Sequence, residues 1–169
     1  MKSVRRTAGA LVILASAACT APPDQAPTFD RQAIETEVTD WLQTFWEAWA
    51  EGGAGFDRGI AMYDDHPDFA LAYDGNLWRS HASADSDFRP AFQSITHQDI
   101  VIPKTAIAVL GPELVHVAQQ VTTVQTMADG STVGPVHGVA TMVLVRTDGA
   151  WKIRFYHEST LPQGAIPNP

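Results

Sequence analysis

The chain has 169 residues, with 19 acidic and 11 basic side chains for a formal charge of −8, and a single cysteine. This balance repels polyanions and no Lys/Arg cluster with interleaved aromatics offsets it, which excludes nucleic acid as a partner. One thiol allows no disulfide framework and no cysteine-based zinc site, so stability must come from an ordinary hydrophobic core.

The first residues, MKSVRR, are basic, and the apolar run AGALVILASAA that follows has the length of a secretory h-region, too short to span a bilayer as a stable helix. Residues 1–18 therefore read as a signal peptide. Cys19, preceded by Ser16-Ala17-Ala18, resembles the lipobox at which bacterial lipoproteins are cleaved and acylated, with Ser16 standing where a branched apolar residue is usual. The expectation is a membrane anchor on Cys19 and a periplasmic or cell-envelope location; the alternative is cleavage after Ala15-Ser16-Ala17 and a secreted product. Residues 19–28, rich in Pro and small side chains, read as anchor and tether, residues 29–162 as the domain, and residues 163–169 as a tail.

From Asp30, an N-cap, apolar residues recur at Ile34, Val38, Trp41, Leu42, Phe45 and Trp49, a helical stripe that Gly52-Gly53 ends. Trp46 lies off that stripe. A short helix over 57–63 leads through the turn DDHPD to a strand over 69–73, closed by Asp74-Gly75-Asn76. A third helix is expected over 85–95, weakened by Pro90, and then strands over 99–110, 114–127, 133–145 and 151–160. Gly111-Pro112, Asp129-Gly130 and Asp148-Gly149 separate them. Alternation in the last strand puts Trp151, Ile153, Phe155 and His157 on one face, and Lys152, Arg154, Tyr156 and Glu158 on the other.

This order argues for an α+β fold in which a curved antiparallel sheet wraps around the N-terminal helices and forms a cone-shaped pocket. Both faces of residues 136–145 are apolar. One can cover the helices and the other needs a partner, so a homodimer through the convex face is expected. Asp64, Asp65, His66 and Asp68 make the densest cluster of acids and imidazole; it matches neither HEXXH nor an EF-hand loop and reads as a solvated turn, so no metal is expected. GxSxG, P-loop and GxGxxG signatures are absent, and no cofactor is expected.

The tryptophan-bearing first helix, the segment YDDHPDFALAYDG and the terminal pattern DGAWKIRFYHEST resemble the nuclear transport factor 2-like superfamily, in particular its SnoaL-like and ketosteroid isomerase-like branches, over most of residues 31–160. The resemblance implies the cone fold. Its members include isomerases, cyclases, dehydratases, epoxide hydrolases and noncatalytic binding domains, so it leaves the activity open. Asp74 sits where the isomerase-like branch has its proton-abstracting aspartate, but the first helix has no tyrosine and Thr141 stands where the branch has a protonated acid. The catalytic candidates are Asp74 and His157, an imidazole at the end of an apolar stripe. Trp41, Phe45, Tyr73, Trp78, Gln120, His137, Thr141 and Phe155 are the candidate ligand contacts. The function expected is an exported, lipid-anchored domain that binds a small apolar molecule; the alternatives are an isomerase, dehydratase or cyclase, and a noncatalytic cell-envelope interaction domain.

Overall fold

The computed structural model describes residues 29–161. Helix α1 (Arg31–Ala50) begins where the Asp30 carboxylate accepts the Ala33 N–H at 3.0 Å, satisfying one of the donors a helix start leaves unpaired. Ile34, Val38, Leu42, Phe45 and Trp49 are all buried, so the helical stripe is core. A 3₁₀ turn (Gly52–Ala54) leads into the short helix α2 (Phe56–Ile60). Strands β1 (Ala70–Tyr73) and β2 (Asn76–Trp78) form a tight hairpin through Asp74-Gly75, whose φ values are 44° and 86°. Helix α3 (His81–Gln93) starts earlier than its apolar pattern suggests, because the Ser80 hydroxyl caps it by accepting the Ser83 N–H. Four long strands follow: β3 (Ile95–Gly111), β4 (Leu114–Met127), β5 (Thr132–Thr147) and β6 (Ala150–Thr160).

The six strands form one sheet in the order β2-β1-β6-β5-β4-β3. The β3 to β6 meander is antiparallel, as expected, but β1 joins β6 in parallel, pairing Ala70 with Phe155 and Leu71 with Tyr156, so the sheet is mixed. Its concave face packs on the helices: Val115 and Val117 of β4, Met142 and Leu144 of β5 and Ile153 of β6 are fully buried beside Val38 and Phe45. Side chains buried to this degree each contribute roughly 1.5–3 kcal/mol relative to exposure.

One irregularity in β6 decides which residues face inward. Val143 pairs with Phe155 and Leu144 with Ile153, leaving Arg154 as a β-bulge. The bulge is pinned from outside the hairpin. Ile153 N–H donates to the Met62 carbonyl at 3.0 Å, Asp64 N–H donates to the Ile153 carbonyl at 2.8 Å, and the Arg154 guanidinium meets Asp64 Oδ2 at 2.6 Å. Alternation therefore slips by one residue. Trp151 and Ile153 face the core, and beyond the bulge Tyr156 and Glu158 take the inner face, while Phe155 and His157 turn outward and are exposed. The expectation that Phe155 and His157 continue the face of Trp151 and Ile153 is thereby corrected. Asp64 departs from its reading as a solvated turn residue as well: it is 6% exposed and paired with Arg154.

Candidate functional site

A cavity of about 360 Å³ lies between the helices and the concave face of the sheet. Trp46 and Trp49 of α1 and Phe88 and Phe92 of α3 wall it on the helical side. Trp46 is held in orientation by its indole N–H, which donates to Gln119 Oε1 at 2.9 Å, while Gln119 donates onward to the Thr105 hydroxyl at 3.0 Å. Trp49 lies flat against Gly59, where a Cβ would come within 2.7 Å of the indole, so that glycine is needed for close approach. The walls are anchored on regular elements rather than on long loops, which keeps the space open.

Polar groups gather at two places. On the β3–β4 side, Gln98 donates to the Trp49 carbonyl at 2.8 Å and accepts from Gln125 at 3.0 Å, with Thr123 alongside. On the β1–β6 side stand Tyr63, Tyr73, Tyr156 and Glu158. The Tyr156 hydroxyl donates to Glu158 Oε2 in a short hydrogen bond. Among the described residues that line the cavity, Glu158 is the one with a formal charge.

The electrostatics follow from burial. Loss of water pushes the Glu158 carboxyl above its usual range; the bond from Tyr156 works against this, Asp74 adds to it by like-charge repulsion, and His157 opposes it. Burial, with the negative charge of Glu158 added, raises Tyr63 and Tyr156 well above the ordinary phenol and pushes Tyr73 up to about 12. The three phenols therefore stay protonated near neutral pH and act as neutral hydrogen-bonding groups around one carboxyl that protonates more readily than usual.

Of the residues proposed from the sequence, Tyr73 lines the cavity. Phe45 is fully buried beneath it as core, and Trp41 stacks on Phe45 with ring centroids 5.5 Å apart. Trp78 stands behind the wall, 4.8 Å from the Phe88 ring, with its indole N–H on Asp87 at 2.7 Å. Asp74 does not line the cavity: its two carboxylate oxygens accept from the Thr160 N–H and hydroxyl at 3.0 and 2.9 Å, tying the β1–β2 turn to the end of β6. Gln120, His137, Thr141, Phe155 and His157 do come together, but on the convex face. Thr122 pairs with His137 there and shares a 3.0 Å hydrogen bond with its ring; Thr141 pairs with His157, and Val143 with Phe155. Cys19 lies outside the described residues.

Sequence reasoning missed Glu158 and Tyr156, because strict alternation puts them opposite Trp151 and Ile153. It left Trp46 off the core stripe, and that displacement is the signal that marks a cavity wall instead.

The model of the SnoaL-like domain matches residues 38–163. The chain belongs to the SnoaL-like family. No curated protein matches it. Among solved structures, this SnoaL-like chain is similar to a Streptomyces avermitilis protein of the NTF2-like family provisionally named a dehydratase, with 17% identity and a TM-score of 0.66 over 77% of this chain and 97% of that one. It is similar to a protein of Novosphingobium aromaticivorans provisionally named a scytalone dehydratase, with 11% identity and a TM-score of 0.63 over 79% and 97%. A third is the association domain of C. elegans CaMKII, at 15% identity and a TM-score of 0.59 over 75% and 95%. At such identities the likeness establishes the cone fold, and the chemistry has to be read from this SnoaL-like domain's own cavity.

Proposed function

We infer that this SnoaL-like domain binds a small, largely apolar molecule in the cavity between its helices and its sheet. One observation carries the reading: the cone is not filled by its own aromatic side chains but keeps about 360 Å³ of space, walled by aromatics with a few convergent polar groups, which is the ordinary character of a small-molecule site. Phe45 and Phe69 complete the core without entering that space.

A second reading is favoured by Glu158. A carboxyl with a raised pKa, hydrogen-bonded by a tyrosine inside an apolar cavity, has the properties of a general acid or base. Isomerisation or dehydration of the bound molecule would use it, and two of the similar structures carry dehydratase names. In this reading Glu158 replaces Asp74 and His157 as the group that moves the proton. The convex face, with Val139 and Phe155 exposed at 43% and 38%, supports a homodimer through the sheet. The leader and Cys19 support export and a lipid anchor.

Native mass spectrometry of the full chain, purified from its source under non-denaturing conditions, tests the binding, dimer and anchor readings together. The expected spectrum shows a discrete bound mass that is lost on denaturation and lost again in Ile100→Trp, which fills the cavity. A doubled protein mass reports the dimer, and an acylated N-terminal cysteine reports the anchor. A bound mass that persists in folded Ile100→Trp would place the ligand elsewhere and overturn the cavity reading.

A further inference from the structure

The charge balance of the cavity points to a class of ligand. Glu158 carries the cavity's one formal charge among the described residues, and no lysine or arginine there offsets it. Among the described residues the one direct hydrogen-bond partner of its carboxylate is a neutral phenol, Tyr156. The carboxylate has lone pairs to spare, and a buried anion is stabilised best by a cation with hydrogen-bond donors of its own. Beside it in the cavity wall are the phenol rings of Tyr63, Tyr73 and Tyr156, the last meeting it through its hydroxyl, and the indoles of Trp46 and Trp49 line the same cavity. Electron-rich rings around a carboxylate are the surroundings that attract a cation, whereas an anionic ligand would meet repulsion with nothing to balance it.

We propose that the cavity selects an organic amine: an ammonium seated against Glu158 and the tyrosine rings, joined to an apolar body that lies along Trp46, Trp49, Phe88 and Phe92. This rests on the reading of the cavity as a binding site and names the class of molecule it takes. The ammonium donates charge-assisted hydrogen bonds to the carboxylate oxygens, which are stronger than those a neutral hydroxyl can make. The net charge of −8 adds a long-range attraction for cations.

Three probes of the same shape test it: 1-naphthylmethylamine, 1-naphthalenemethanol and 1-naphthoate, titrated calorimetrically into the full chain near neutral pH. The amine is expected to bind about tenfold or more tightly than the alcohol, and the naphthoate weakest of the three. In Glu158→Gln, with an unchanged near-ultraviolet dichroism spectrum, the ratio of amine to alcohol affinity should fall to about one. A measurement without mutation stands beside it. As pH falls, Glu158 takes up its proton and the amine loses its advantage, while the alcohol does not follow. The titratable groups facing Glu158 are Tyr63, Tyr73 and Tyr156, with Asp74 and His157 close enough to act on its charge. The tyrosines do not titrate in that range, and Asp74→Asn and His157→Gln serve as controls for the other two. An alcohol that binds as tightly as the amine, or a ratio unchanged in folded Glu158→Gln, overturns the amine preference and leaves the cavity reading standing. If none of the three binds, the cavity reading itself fails.

Discussion

Glu158 stands where burial rather than solvent surrounds a carboxyl, and its stability effect has a definite sign. Its folded pKa lies above the ordinary 4.5, so the native state holds the proton more tightly than the unfolded chain. The stability this contributes is present in full below 4.5 and is lost as pH rises through the folded value. Glu158→Gln mimics the protonated form at every pH. The variant and the wild type are expected to have similar urea midpoints in acid, with the wild type falling below the variant as pH rises and the gap levelling off once Glu158 is ionised. A gap that instead grows toward acid would mean that Glu158 is stabilised as the anion. Little of this residue's role was legible in the sequence. Tyr73 could be placed near the pocket because its strand is short and ends at a recognisable turn. Glu158 could not, because its facing depends on a slip in phase that nothing within its own strand announces.

The elements were more legible than their faces. Periodicity and Asp/Gly punctuation locate the first helix, the four-strand meander and the tight turn at Asp148-Gly149, where φ values of 51° and 81° suit those residues. The bulge at Arg154 escapes such reasoning because its partner, Asp64, is 90 residues away in sequence. Likewise, the polar positions Gln120, His137 and Thr141 could be given a strand but not a side, since both faces of β5 are apolar. Asp64→Ala should cost about 2 kcal/mol, less than a fully buried pair because Arg154 keeps some access to water. Chemical unfolding measures that loss. Hydrogen exchange should show faster exchange at Ile153 and Asp64 before other core amides, since these two share the bonds that hold the bulge. Uniform loosening across the sheet would mean that the pair acts on global stability and not on the register of β6.

For the whole molecule, the curved sheet presents two surfaces of different use: a concave one that closes over the core and cavity, and a convex one with apolar side chains open to solvent. Val139→Asp places a charge on the convex face, pointing away from the cavity, one position along β5 from Ala140, the cross-strand partner of Glu158. The wild type is expected to sediment as a dimer at micromolar concentration and the variant as a monomer, with amine binding retained. A monomeric wild type would remove the dimer from the account without touching the cavity. The sheet order has a further consequence for how the chain is made. Strand β6 comes last in the meander yet lies between β1 and β5, so until it arrives the β1–β2 hairpin and the β3–β5 meander share no strand pairing among the described residues. Pairings that span so much of the chain are slow to form, because loop closure has to precede their reward. Tyr156 and Glu158 ride on that same strand, so the cavity has no carboxyl and no complete wall before the domain closes. Folding and formation of the cavity are one event, and a nascent chain stalled short of β6 would offer no enclosed space for a small molecule to enter.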